Sequence, residues 1–189
     1  MGLIFSFLFN RNSHFNLANI ATFFNIAAGI FAIYFLTHQN FFAAALFAWL
    51  AGGFDIIDGK IARKYNLSTQ FGIQLDSYAD FLSFVIVPSM YIYFAVIDTK
   101  EEFLNMYFVS FVFIYYVISG LRRLIQFNIN SNEGEVEKFF TGVPTPLGAI
   151  LLFAVYLIYL TGFVNEYFVL ILMVVIGFTL NSKIKIKHL

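Results

Sequence analysis

The chain has no cysteine, three prolines, three histidines and few charges: of 189 residues only 12% are Asp, Glu, Lys or Arg. Lack of cysteine excludes a disulfide framework, thiolate zinc sites, iron–sulfur clusters and cysteine nucleophiles. Any metal must be held by oxygen or histidine, and His14, His38 and His188 are too scattered to form a ligand set. Eleven basic residues against eleven acidic ones leave no net charge, so the balance predicts no nucleic-acid partner. No Gly-x-Gly-x-x-Gly, Walker A or His-Glu-x-x-His motif occurs, and no Pro/Gly/Ser linker, second composition regime or internal repeat divides the chain. What is present in excess is apolar surface: 60% hydrophobic residues, 21% aromatic, and a mean hydropathy of +0.81. That is the composition of a membrane protein rather than a water-soluble domain.

Uncharged apolar runs cover Phe15–Leu36, Phe41–Phe54, Phe81–Ile97, Phe103–Leu121, Val143–Val164 and Tyr167–Leu180. A span needs about 20 residues, so the second must continue through Asp55 and Asp58 and the third must begin before Phe81. The expectation is an all-α integral membrane protein of six transmembrane helices with both termini on one side. Ten Lys and Arg residues (Arg11, Lys60, Arg63, Lys64, Arg122, Arg123, Lys138, Lys183, Lys185, Lys187) fall on one side and only Lys100 on the other, which makes the first side cytoplasmic. We expect one membrane domain over 1–189. Its parts are a short amphipathic interfacial helix over 1–14, a six-helix bundle over 15–182 and a basic tail over 183–189, in a multi-pass protein of the cell membrane. The N-terminal run lacks a basic n-region and a cleavage site, unlike a signal peptide. Leu3, Ile4, Phe7 and Leu8 at helical spacing suit an interfacial helix, and the Met-Gly-x-x-x-Ser start matches a myristoylation pattern by a short coincidence. The Lys183/Lys185/Lys187 tail reads as topological, with anionic headgroups as its contact.

Four of the eleven acidic residues lie within 26 positions in or beside predicted spans: Asp55, Asp58, Asp76 and Asp80. An ionised carboxylate near the centre of a span costs about 2.5–3.5 kcal/mol, and less near the interface, so four of them call for a bound cation. Spacings of three and four place each pair on one helix face. Ser68 or Thr69 suits the N-cap of the third helix, and a turn at about Asn66 sets Asp58 and Asp76 roughly 12 and 15 Å from it. The pairs then meet at similar depth as a carboxylate box. Hard oxygen ligands select Mg²⁺, Mn²⁺ or Ca²⁺, two such ions would balance four carboxylates, and paired ions are the usual apparatus of phosphoryl displacement. A bland alternative pairs the aspartates with Lys60, Arg63 and Lys64. Gly59, Ala62 and Gly72 strip bulk from the same faces, which ordinary small-residue helix packing would also explain. Arg63 beside them suits a pyrophosphate.

The run Asp55-Ile-Ile-Asp58-Gly59-Lys-Ile-Ala62-Arg63, eight residues, then Gly72-Ile-Gln-Leu-Asp76-Ser-Tyr-Ala-Asp80, resembles the signature of the CDP-alcohol phosphatidyltransferase family at every specified position. The resemblance implies an integral membrane enzyme that transfers a phosphatidyl-type group from a CDP-linked lipid to an alcohol and releases CMP. It implies two divalent cations, Mn²⁺ or Mg²⁺, on Asp55, Asp58, Asp76 and Asp80, with Asp80 also the general base. Gly59, Ala62, Arg63 and Gly72 would contact the cytidine diphosphate. Asn19-Ile-Ala-Thr22 is similar to the family's Asn-x-x-Thr element, with Ala18 where a proline often stands, and a homodimer is implied as well.

For the acceptor, Arg122-Arg123-Leu-Ile-Gln-Phe127-Asn128 and Phe140-Thr141-Gly142-Val-Pro144-Thr145-Pro146 look like the phosphatidylserine synthase subfamily. Arg122 and Arg123 suit the carboxylate of L-serine, and Asn128 with the carbonyls near Gly142 and Pro144 suits its ammonium. An arginine pair snorkelling to lipid phosphates is the plain alternative. The expected reaction therefore runs between a CDP-linked lipid and L-serine at the cytoplasmic face, without nucleic acid. Its rivals are the same chemistry on glycerol 3-phosphate or inositol phosphate, and a divalent-cation transporter using the carboxylate box.

Overall fold

The protein is described here from a computed structural model, in which residues 6–98, 106–132, 139–182 and 185–187 are placed. Local capping explains where its helices begin. Asn16 accepts from the Asn19 amide to open α1 (Leu17–Thr37), and Asn40 accepts from Ala43 to open α2 (Phe41–Lys64). Thr69 accepts from Gly72 to open α3 (Gln70–Asp80). Asn165 accepts from Phe168 to open α7 (Glu166–Leu180). Each side-chain oxygen satisfies one of the amides that a helix start leaves unpaired. Between α2 and α3 the chain turns at Asn66, whose φ of 58° is left-handed, a conformation Asn tolerates better than most side chains. The turn therefore lies where the sequence expects it.

After α3 the rod continues as a π-helical turn over Phe81–Ile86, α4 (Val87–Ile92) and a second π-helical turn over Tyr93–Ile97. Pro88 accounts for the first of these turns. It has no N–H to offer and its ring crowds the carbonyl four residues earlier, at Phe84, so a wider turn relieves both problems. The remaining elements are α5 (Met106–Asn132), β1 (Phe139–Thr141), α6 (Thr145–Leu160), α7 and β2 (Lys185–Lys187). The strands pair antiparallel with Phe140 opposite Ile186. This small ladder gives residues 185–187 of the basic tail a backbone partner within a fold that is otherwise helical, as the sequence leads one to expect.

Among the described residues, four helical stretches are long and apolar enough to cross a membrane: Leu17–Thr37, Phe41–Lys64, Gln70–Ile97 and Met106–Ile129. Thr145–Leu160 and Glu166–Leu180 are apolar but shorter. Large apolar side chains remain exposed along these rods, among them Phe24, Phe31, Phe42, Trp49, Phe111, Ile118 and Phe178, as expected of helices whose solvent is lipid. The expected interfacial helix over 1–14 is not continuous in its described part. A single 3-10 turn, Ser6–Phe9, is followed by turns in which Asn10 accepts from the Asn12 amide and Ser13 from the Phe15 amide. Such local side-chain bonds compete with helix. Residues 1–5, including the myristoylation pattern's glycine, lie outside the described residues, as do Lys100, Lys138, Lys183 and His188.

The chain forms two compact units, Met1–Ser83 and Phe84–Leu189. In the first, α1 packs along α2 and against α3, with Ala28, Ala32, Leu36, Ala44 and Ala51 buried. In the second, α7 packs against α5 and α6, and α4 against α5 and α6. Helices there approach closely at glycine: a Cβ on Gly120 would lie 2.6 Å from Val85, and one on Gly177 2.9 Å from Tyr115.

Candidate active site

Within the first unit, the carboxylates of Asp55, Asp76 and Asp80 converge so that one oxygen from each lies within 4.8 Å of the others. Asp55 is near the end of α2 and the other two are on α3, so the left-handed turn at Asn66 and the antiparallel course of the two helices bring them together. Asp58, one turn beyond Asp55, is 4% exposed and lies against Thr22 of α1. It stands beside the trio rather than within it. Two carboxylate oxygens, Asp58 Oδ2 and Asp80 Oδ1, are buried without a hydrogen-bond partner. No Lys or Arg ion pair to these carboxylates occurs among the described residues, so the bland reading of the aspartates as partners of Lys60, Arg63 and Lys64 finds no support. Unpartnered buried carboxylate oxygens are costly unless a cation completes them, and an all-oxygen donor set suits a hard divalent ion. The residues present fit such a group.

Next to the carboxylates a cleft of about 180 Å³ opens between α1, α2 and α3. From α1 it receives Ala18, Asn19 and Thr22; from α2, Asp58, Gly59, Ala62 and Arg63; from α3 and its cap, Thr69, Gly72 and Asp76. Gly59, Ala62, Arg63 and Gly72, which the resemblance sets against a CDP group, therefore line one cleft together with Asn19 and Thr22 of the Asn-x-x-Thr element, which it assigns to the same CDP-linked lipid. The cleft's shape depends on small residues. A Cβ on Gly72 would lie 2.8 Å from Asn19 Oδ1, so only glycine lets α3 come this close to that amide. Asn19 is itself held by donating to the His14 carbonyl at 3.1 Å. The Arg63 guanidinium lies over Gly59, four residues earlier on the same helix face, and is exposed at the cleft. The floor by the turn is tied down from the N-terminal segment, where Arg11 Nε donates to the Ser68 carbonyl at 3.0 Å and Asn16 to that of Leu67 at 3.5 Å.

The residues expected to bind the acceptor belong to the second unit. Arg123 is buried and its Nε donates to the Val143 carbonyl at 3.2 Å, which ties α5 to the chain entering α6. Arg122 is exposed and Asn128 half-buried, farther along α5. Gly142 has φ of 86°, and a Cβ there would lie 2.6 Å from the Leu180 carbonyl and 2.9 Å from that of Ser182. Pro144 precedes α6 as its cap in extended conformation. Arg123 of α5 thus holds the loop that carries Gly142 and Pro144, which is held also by Val143 N to Thr179 O, while Asn181 Nδ2 donates to Ser119 O to tie the end of α7 to α5. Because Gly142 faces backbone rather than a movable side chain, Gly142→Ala should be strongly destabilising. We expect a drop of several degrees in the unfolding temperature of the detergent-solubilised protein, and an unchanged value would show that the loop can give.

Sequence reasoning missed Asn16 and Asn25. Their signal was available: Asn16, Asn19, Thr22 and Asn25 recur at every third position of an otherwise apolar stretch, and all four are buried. It also missed Ser83, whose hydroxyl donates to Asn25 Oδ1.

Helices apolar enough to cross a membrane thus carry an all-oxygen carboxylate cluster that could hold a metal ion and an adjoining cleft with one arginine. The chain belongs to the CDP-alcohol phosphatidyltransferase family, which it matches over residues 15–180. It is 30% identical over 171 residues to the archaetidylserine synthase of Methanothermobacter thermautotrophicus, covering 89% of this chain and 68% of that protein. It is 30% identical over 165 residues to the CDP-diacylglycerol–serine O-phosphatidyltransferase of Bacillus subtilis, covering 87% and 85%. To the Helicobacter pylori protein of the same name it is 34% identical over 133 residues, covering 70% of this chain and 54% of that one.

Proposed function

We propose that the protein transfers a phosphatidyl-type group from a CDP-linked lipid to the hydroxyl of L-serine and releases CMP. The observation that carries the reading is the cleft that gathers Asn19, Thr22, Gly59, Ala62, Arg63 and Gly72 beside the Asp55, Asp76 and Asp80 trio. The choice of serine rests on the names of the relatives, and on the arginines and the Gly142–Pro144 loop as chemistry suited to a free amino acid. Lysines and arginines set six spans with both termini and the site at the cytoplasmic face of the cell membrane, and the family resemblance supports a homodimer.

In this mechanism Asp55, Asp58, Asp76 and Asp80 hold two divalent cations, Mn²⁺ or Mg²⁺. When bound, these supply charge neutralisation at the pyrophosphate. Gly59, Ala62 and Gly72 let the nucleotide approach backbone, and Asn19 and Thr22 offer polar contacts from α1. Asp80 accepts the proton of the serine hydroxyl as the serine oxygen bonds to the lipid-side phosphorus. The bond from that phosphorus to the CMP oxygen breaks, and Arg63 stabilises the departing phosphate. Arg122 and Arg123 hold the serine carboxylate, Asn128 and the carbonyls near Gly142 and Pro144 its ammonium.

The test is CMP release by purified protein with CDP-diacylglycerol or its ether-linked equivalent, Mn²⁺, and each of L-serine, glycerol 3-phosphate and inositol phosphate. Release driven by serine alone, and abolished by EDTA, is the expected result. Release driven by another acceptor would discard serine while keeping the donor site, and metal flux without CDP dependence would favour a transporter.

A further inference from the structure

The start of α1 forms one wall of the cleft, yet no short connection of the chain fixes it there. Asn19 and Thr22 lie at the N-terminal end of α1, whereas α1 joins α2 through residues 38–40, at the far end of both helices from the cleft. α2 and α3 are joined beside it by the turn at Asn66. Two walls are therefore set by a tight turn, and the third depends on noncovalent ties. The segment before α1 supplies them. Phe9 meets Tyr65 edge-on with ring centroids 5.2 Å apart, Arg11 Nε donates to the Ser68 carbonyl at 3.0 Å, and the His14 ring stacks on Phe71 at 4.3 Å, 14° from parallel. The partners follow the same order along both stretches, so the segment lies lengthwise on the turn. Asn16 adds a bond to the Leu67 carbonyl, at 3.5 Å the weakest of these by distance.

These ties reach the cleft by two routes. Leu67, Ser68 and Thr69 line it, and Thr69 caps α3 by accepting from the Gly72 amide. From the other side, the His14 carbonyl accepts from Asn19 Nδ2 at 3.1 Å. A carbonyl can only accept, so this bond fixes the orientation of the Asn19 amide and leaves Oδ1 toward Gly72. Arg11, His14 and Phe71 are themselves exposed and are not among the residues that line the cleft.

We infer that residues 9–14 form a clasp that sets the width of the cleft, with Arg11 and His14 as positioning residues for the CDP-linked donor that act through Ser68 and Asn19. The inference rests on the reading of the cleft as the donor site. With the clasp seated the walls are preorganised; without it the donor must restore their spacing as it binds, at the expense of affinity. The Asp55, Asp76 and Asp80 trio draws on neither α1 nor the segment before it, so a donor once bound should react as before.

The experiment compares Arg11→Ala, His14→Ala, Arg11→Lys and Arg63→Ala in the CMP-release assay with purified full-length protein, Mn²⁺ and varied CDP-lipid and serine, alongside titration calorimetry with CDP. Arg11→Ala is expected to raise KM for the CDP-lipid and Kd for CDP about tenfold, the worth of one hydrogen bond from a charged donor, with kcat and KM for serine within about twofold. His14→Ala should move the same two constants about threefold, and Arg11→Lys, which keeps a donor for the Ser68 carbonyl, should recover part of the loss. Wild-type donor affinity in Arg11→Ala would overturn the proposal. So would a fall in kcat at unchanged KM, or a lowered unfolding temperature with both donor constants unmoved, which is what a merely structural tie predicts. Should Arg11→Ala fail to fold, His14→Ala decides by the same split between KM and kcat. Arg63→Ala tells the two readings apart, because Arg63 lies in the cleft itself. Unchanged CDP affinity there would remove the donor site and the clasp with it, whereas affinity lost in Arg63→Ala but kept in Arg11→Ala would remove the clasp alone.

Discussion

An Asp80→Asn variant is expected to fold, to retain CDP binding, and to lose CMP release by at least about a hundredfold, the order of effect typical of a general base. The side chain keeps its shape but can no longer take a proton, and its amide would face Asp55, against which Asp80 lies. Because Asp80 belongs to the carboxylate trio as well, loss of a cation would produce the same phenotype. Titrating Mn²⁺ separates the causes. Activity that returns at high Mn²⁺ would assign Asp80 to holding metal alone, whereas a loss that persists at saturation supports the base, and undiminished turnover would remove Asp80 from the mechanism.

A smaller loss, in affinity rather than turnover, is expected for Gly72→Ala. The added methyl would stand 2.8 Å from Asn19 Oδ1, and Asn19 has little freedom to yield. Its Nδ2 is bonded to the His14 carbonyl and it lies 3% exposed at the start of α1. Either the amide rotates into the cleft and abandons that bond, at about 1–3 kcal/mol for the groups left unpaired, or α3 moves away from α1. Both narrow or reshape the place where the nucleotide would lie. CDP affinity should fall roughly tenfold or more, since 1.4 kcal/mol is a factor of ten. Titration calorimetry with CDP and Mn²⁺ in detergent measures it, and wild-type affinity would show that the close approach at Gly72 is not what shapes the cleft.

Much of this arrangement could be read in the sequence because its determinants are local. The aspartates fall at helical spacing on two helices joined by a short turn, and one left-handed Asn66 suffices to set them face to face. The helix start at Gln70 follows from the Thr69 cap, which is also local, whereas the Asn16 cap before Leu17 was missed. What escaped was set by contacts distant in sequence. The pairing of Phe139–Thr141 with Lys185–Lys187 joins residues more than forty positions apart, and nothing in three alternating lysines announces a strand. Arg123 reads as a carboxylate ligand in the sequence, and nothing local shows that its Nε also donates to a carbonyl twenty residues away. Asn25 belongs to the polar series at every third position of α1, but its partner Ser83, 58 residues on, carries no such signal. The end of α5 was misjudged for a different reason. An apolar-run criterion stops before Arg122, whereas the helix itself continues through Arg122, Arg123, Leu124 and Gln126, which are good helix formers, and on to Asn132.

The division of the chain at Ser83 bears on how such a protein is made. All four signature aspartates and every cleft residue lie in the first unit, so a ribosome completes them before it reaches α5. A nascent chain carrying four carboxylates into a bilayer faces a steep insertion penalty at that moment, with the later helices still untranslated. Divalent cations bound by the emerging segment would lighten that penalty, so that metal supply would bear on biogenesis.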